Sequence, residues 1–194
     1  MKSITVYCGS NPGADPAFAD ATRALARRLA SDGVRIVYGG GHVGLMGILA
    51  DAAMAAGGEV VGVMPQALID REIGHTGLSE LRIVGSMHER KALMAELADG
   101  FVALPGGVGT LDELVEIYTW SQLGLHRKPL GLLNVAGYYD ALVAFLDHAV
   151  EMAFLRPEHR AMLLCERTPT AVVDALEAFD VPIVDKWIDR TSQT

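Results

Sequence analysis

The segment Pro105-Gly106-Gly107-Val108-Gly109-Thr110-Leu111-Asp112-Glu113 joins residues that can bind an anion to one that can do acid–base chemistry. It follows the apolar run Phe101–Leu104, which reads as a buried strand, and it leads into apolar residues at helical spacing. A strand, a glycine-rich turn and a helix N-terminus together expose unpaired N–H groups and the positive end of the helix dipole. Glycine lets such a backbone come close to an anion because no Cβ intervenes. Glu113 is the residue that asks for a reason, since a carboxylate beside a bound anion is repelled by it. Two readings stand: Glu113 acts chemically, or Thr110-x-x-Glu113 is a capping box that satisfies helix-end donors. A nucleoside triphosphatase loop is excluded, because no Gly-Lys-Ser/Thr follows the glycines.

Two further segments could contribute. Gly39-Gly40-Gly41-His42-Val43-Gly44 satisfies G-x-G-x-x-G but follows the second strand-like run rather than the first. The next strand ends Val63-Met64-Pro65 without the acid that a dinucleotide ribose needs, which argues against a dinucleotide site. What remains is a second glycine-rich turn, serving either a ligand or close helix packing. Ser86-x-x-Glu89 reads as a capping box, which accounts for Glu89. Arg90 and Lys91, early in the same helix, oppose its dipole and call for an anionic neighbour unless they are simply solvated. The six histidines form no HExxH and no close cysteine pairing, so no metal set is expected. Cys8 ends the first strand with no identifiable base and reads as a small buried thiol.

The elements that must position these residues alternate. Strands are expected at Ile4–Tyr7, Val34–Tyr38, Glu59–Met64 (ended by Pro65), Leu81–Val84, Phe101–Leu104 and Leu130–Asn134. Helices are expected at Phe18–Ala30, Leu45–Ala56, Met87–Ala98, Thr110–Leu123, Ala141–Met152 and Thr170–Ala178. Repeated βα units with nearly continuous apolar strands predict an α/β fold: a Rossmann-like, mostly parallel sheet with helices on both faces. Ligands of such sheets bind beyond the carboxyl ends of the strands. Cys8-Gly9-Ser10, Tyr38–Gly41, Ser86 and Pro105–Thr110 all fall there. A length of 194 residues with 51% hydrophobic content suits one domain, 1–184, followed by a polar tail, 185–194. A formal charge of −8 argues against nucleic acid as a partner. Two distant cysteines and no long apolar span predict a cytoplasmic protein that does not enter a membrane.

Taken together, Cys8-Gly9-Ser10, Tyr38–Gly41 with Gly44-Leu45-Met46-Gly47, Met87–Lys91 and Pro105–Glu113 resemble the Lonely Guy (LOG) family. The resemblance runs in order from Ile4 to about Asn134. Members of that family are cytokinin riboside 5′-monophosphate phosphoribohydrolases, often labelled lysine decarboxylases. The resemblance implies hydrolysis of the N-glycosidic bond of an adenosine-type nucleoside 5′-monophosphate, giving free base and ribose 5-phosphate. It places the catalytic pair on Arg90 and Glu113. Substrate contacts carry over to Glu72, Lys91, Gly106, Gly107, Val108, Gly109, Thr110, Leu111, Asp112 and Thr119, while Gly9, Ser10, Gly40 and Gly41 join them from the sheet edge. Val108 departs from relatives that carry an aromatic residue there. No metal or redox cofactor is implied, and a homodimer is expected. Two alternatives are an AMP nucleosidase without cytokinin preference and a non-enzymatic carrier of a phosphorylated ligand, like the molybdenum-cofactor carriers. A decarboxylase would need a pyridoxal-phosphate lysine, for which no lysine has a recognisable setting.

Overall fold

The computed structural model describes residues 1–69, 74–180 and 182. The strands are β1 (Ser3–Tyr7), β2 (Arg35–Tyr38), β3 (Val60–Pro65), β4 (Glu80–Val84), β5 (Gly100–Ala103), β6 (Leu130–Leu133) and β7 (Leu163–Glu166). They form one sheet in the order β4-β3-β2-β1-β5-β6-β7, with every neighbouring pair parallel. Parallel strands need crossovers, and these are supplied by α1 (Pro16–Ser31), α2 (Gly44–Ala55), α3 (Gln66–Ile69), α4 (Met87–Leu97), α5 (Val108–Gln122), α6 (Asp140–Glu151) and α7 (Pro157–Arg160), while α8 (Pro169–Ala178) follows the last strand and packs back on the sheet. The expected α/β architecture is therefore the one observed.

Each face of the sheet has its own core. Leu25 and Leu29 of α1, Leu49 of α2 and Val172 of α8 pack on Ile4, Ile36 and Val102. Met94 of α4 and Leu114 and Ile117 of α5 pack on Val37, Phe101 and Leu132 across the other face. Strands β1, β3, β5 and β6 are buried at every position, which explains their unbroken apolar runs. Helix α1 starts where Asp15 accepts a hydrogen bond from the Ala17 N–H at 2.9 Å and Pro16 takes the first helical position.

The order of strands creates the site. The chain steps outward from β1 to β4, then α4 carries it over the opposite face to place β5 beside β1. At this reversal the loops leaving β1 and β5 run side by side, as open α/β sheets require for a ligand crevice. The Leu104 N–H bonds to the Tyr7 carbonyl at 2.9 Å and the Gly9 N–H to the Pro105 carbonyl at 3.1 Å.

Three expectations change, and a fourth falls outside the described residues. β3 includes Pro65 as its last residue, in register with Val84 of β4 but beyond the pairing with β2, which stops at Gly62, so one side of Pro65 is an unpaired edge that tolerates proline. Strand β7 is not among the expected strands, nor are the one-turn helices α3 and α7, whose four residues are too few to show a helical period. Helix α5 starts at Val108, not Thr110, with Gly107 at its N-cap and no side-chain cap. Residues 185–194 lie outside the described residues.

Candidate active site

The earlier start of α5 decides between the two readings of Glu113. Thr110 is the third residue of the helix rather than its cap, so it cannot form the capping box with Glu113. Its side chain is instead buried beneath the loop, where a Cβ on Gly106 would collide with it and with the Gly9 nitrogen. Gly106 is thus needed for the close approach of the β1 and β5 loops. By contrast, the expected cap at Ser86 is present: its hydroxyl accepts from the Glu89 N–H at 3.1 Å. The Glu89 carboxylate accepts from Gly85 N at 2.7 Å, which keeps Glu89 in a structural role.

A cleft of about 320 Å³ opens at the carboxyl edge of β1, β2 and β5. Its floor is Val6 and Cys8, and its walls include Gly9, Ser10, Gly39, Met46 and Leu68. Gly107, Val108, Gly109 and Thr110 present the first turn of α5 to it, with Arg90 and Glu113 alongside. A Cβ on Gly107 or Gly109 would meet no protein atom within 4 Å. The fold itself therefore does not demand glycine at either position, and the space beside both is open.

Arg90 and Glu113 face each other inside this cleft with side chains only 11% and 12% exposed. Arg90 Nη2 lies 3.8 Å from Glu113 Oε1, beyond hydrogen-bond reach, and bonds the Gly39 carbonyl at 3.2 Å. A Cβ on Gly39 would overlap the guanidinium. Burial pushes the Glu113 carboxyl above its ordinary range, while the Arg90 charge pulls it back and Asp112 adds to the rise. Burial also pushes the Cys8 thiol up, which keeps it protonated and agrees with a packing role.

The remaining expected contacts divide. Gly9, Ser10, Gly107, Val108, Gly109 and Thr110 line the cleft, and Gly106 lines the recess behind it. Gly40 and Gly41 do not line it: Gly40, at φ +79°, faces Leu81 and Met64, and Gly41 faces Met46 and bridges to Gly74. Gly39, Met46 and Leu68 take the place expected of them. Leu111, Asp112 and Thr119 lie on the outer face of α5 with Val115 and Trp120, away from the cleft of their own chain. Helical spacing is the reason, since positions three or four apart share a face and Thr110 and Glu113 occupy the other one. Lys91 binds Asp112 at 3.2 Å and Glu116 at 3.0 Å, tying α4 to α5. Burial pulls the Lys91 ammonium down, but these two contacts outweigh it and hold it above its ordinary value. The anionic neighbour that Lys91 called for is thus a pair of protein carboxylates. Glu72 lies outside the described residues.

Sequence reasoning missed the turn after β6. Tyr138 donates to the Gly106 carbonyl at 2.5 Å and Tyr139 to the Leu104 carbonyl at 2.6 Å. Asn134, 3% exposed, accepts from the Tyr139 N–H at 2.7 Å and donates to Asp140 at 2.7 Å. The only local signal was Gly137 beside an Asn and two tyrosines, which does not say what the phenols reach.

Fold and cleft define an open parallel α/β protein with its ligand edge at the β1/β5 reversal, where a helix N-terminus and a buried Arg–Glu pair converge. The family model described as "Possible lysine decarboxylase" matches residues 46–176. The chain is 48% identical over 183 residues to rice (Oryza sativa subsp. japonica) LOGL9, named a "Probable cytokinin riboside 5'-monophosphate phosphoribohydrolase", covering 94% of this chain and 80% of the relative. It is 46% identical over 180 residues to the Arabidopsis thaliana cytokinin riboside 5′-monophosphate phosphoribohydrolase LOG7, covering 93% and 83%. The chain belongs to the LOG family. Among solved structures, the structural-genomics target TM1055 superposes with a TM-score of 0.69 at 24% identity, covering 92% of this chain and 100% of that one. The molybdenum cofactor carrier protein of Chlamydomonas reinhardtii superposes at 0.68 with 17% identity, covering 91% and 96%, a likeness of fold alone.

Proposed function

We propose that the protein hydrolyses the N-glycosidic bond of adenosine-type nucleoside 5′-monophosphates, N6-substituted ones included, releasing the free base and ribose 5-phosphate. The observation that carries this reading is Glu113: buried, free of a capping role, and facing Arg90 beside a glycine-lined helix N-terminus. The amides of Gly107–Thr110 bind the 5′-phosphate, and the α5 dipole favours its charge. The C1′–N bond breaks with its electron pair leaving on the base, and the sugar takes on oxocarbenium character. Glu113 stabilises that positive charge and accepts a proton from the water whose oxygen bonds to C1′, while the departing base takes up a proton from solvent and Glu113 later returns its own to solvent. Arg90 keeps the carboxylate ionised against burial and against the phosphate, and it contacts the ribose hydroxyls.

The protein acts in the cytoplasm on a small-molecule nucleotide rather than on nucleic acid, in keeping with its net charge of −8. Among the described residues no helix is long and apolar enough to cross a membrane. It works as a homodimer. Val108, Val115, Leu123 and Leu125 of α5 and its C-terminal end are exposed beside Phe145 and Phe154, an apolar surface of the kind that partners cover.

The test is release of free base from AMP and from N6-isopentenyladenosine monophosphate, read by chromatography. Faster release from the isopentenyl nucleotide supports cytokinin activation. Equal or faster release from AMP makes the protein a general AMP nucleosidase. Tight binding without release from either makes it a carrier.

A further inference from the structure

The loop that presents the helix N-terminus is held by its carbonyls. Leu104 O accepts from the Tyr139 phenol at 2.6 Å, Pro105 O from the Gly9 N–H at 3.1 Å, and Gly106 O from the Tyr138 phenol at 2.5 Å. The next carbonyl, Gly107 O, accepts the first helical bond from Leu111 N at 3.1 Å. No peptide among the described residues is cis, and in a trans peptide the C=O and the following N–H point in opposite directions. Holding Gly106 O against the Tyr138 phenol therefore aims the Gly107 N–H away from that phenol. Tyr138 sits in the recess behind the loop with Phe18, whereas Gly107 borders both this recess and the cleft.

Tyr138 is delivered by an uncommon backbone. Ala136 and Gly137 both adopt left-handed conformations, φ 52° and 75°, and a non-glycine residue there is uncommon. Asn134 pins the following residue through the Tyr139 N–H, and the Tyr138 ring stands edge-on to Phe18 and Tyr139 at 5.7 and 5.1 Å. We propose that Tyr138 is a positioning residue for the phosphate-binding loop: its phenol sets the Gly106–Gly107 peptide plane so that the Gly107 N–H is preset for the 5′-phosphate. This rests on the reading of the cleft as a nucleoside monophosphate site.

Tyr138→Phe in the full chain tests it, because the phenol is partly exposed and water can replace it at the carbonyl without a large stability change. Three quantities are compared with wild type: affinity for inorganic phosphate by calorimetry, kinetics on AMP and on adenosine, and the melting temperature. The phosphate Kd and the AMP KM rise about three- to tenfold, the range one hydrogen bond supports, and KM changes more than kcat. The preference for AMP over adenosine falls by the same factor, a readout that general loosening of the fold would not move. Unchanged phosphate affinity in Tyr138→Phe overturns the proposal. So does loss in Tyr138→Ala alone, which would assign the effect to ring packing on Phe18. Phosphate binding by a wild-type protein that releases no base overturns the hydrolase reading, and the affinity comparison still decides the tyrosine's role.

Discussion

Arg90 is held in place by backbone and only faced by Glu113: its Nη2 bonds the Gly39 carbonyl at 3.2 Å, while Glu113 Oε1 lies 3.8 Å away. The guanidinium thus lowers the cost of the buried charge without occupying the carboxylate's lone pairs. In the proposed hydrolysis those lone pairs serve the water and the developing sugar cation.

Glu113→Gln separates chemistry from structure, because the side chain keeps its shape and has no capping role to lose. Base release falls by about 10²- to 10⁴-fold, the usual contribution of a positioned acid–base group. Phosphate affinity stays within a few-fold of wild type or improves, since a negative charge beside the anion is gone. Paired turnover and calorimetric measurements check this. A variant that hydrolyses AMP at near wild-type rate removes Glu113 from the mechanism.

Gly39→Ala drives a methyl group into the space of the Arg90 guanidinium. Displacing that group by about 1 Å costs on the order of 10²-fold in kcat. The Arg90→Ala change then costs far less on top of Gly39→Ala than in the wild type, because both act through one group. Additive losses in this double-mutant cycle would refute the coupling.

The pH dependence follows from Glu113. Its carboxyl is raised by burial and must be ionised to act, so the acid limb of kcat/KM lies above the ordinary carboxylate range. Arg90 lowers the same group, so Arg90→Ala moves the limb to still higher pH. The sign for folding is opposite to that of a salt-bridged acid. Between the ordinary and the raised value the native state binds more protons than the unfolded state, so Glu113 makes stability fall as pH rises through that window. Rate profiles and melting curves against pH, with Glu113→Gln as reference, test both signs.

Asn134→Ala removes the acceptor of the buried Tyr139 N–H and the donor to Asp140. Leaving that N–H unpaired destabilises the fold by about 1–3 kcal/mol, measured by denaturant unfolding. A loss below about 0.5 kcal/mol would mean that the turn holds without it.

The exposed apolar face of α5 makes a further prediction. Val115, 51% exposed, lies at its centre, and Val115→Glu places a charge there. The proposed homodimer then dissociates to monomer in sedimentation experiments while the melting curve stays cooperative. An unchanged assembly, or a monomeric wild type, would rule out this face as the interface.

Sequence by itself determined the α/β alternation, the buried strands and the glycine-rich segments at their carboxyl ends, because hydrophobic period and turn composition are local properties. Position after a recognisable strand put Cys8–Ser10, Tyr38–Gly41, Ser86 and Pro105–Thr110 at one sheet edge, whereas the pairing of Arg90 with Glu113 came from the family resemblance and not from any local pattern. Local sequence left Glu113 between capping and catalysis, because a shift of the α5 start by two residues decides that, and Thr110-x-x-Glu113 reads alike in both registers. Only the tertiary structure decided that Gly39 rather than Gly40 or Gly41 meets Arg90, that Lys91 is taken up by Asp112 and Glu116, and that Leu111, Asp112 and Thr119 face outward. It alone brought Tyr138 to Gly106, 32 residues away along the chain. Such contacts depend on which strands become neighbours at the β1/β5 reversal, and no local pattern of residue types encodes that distance.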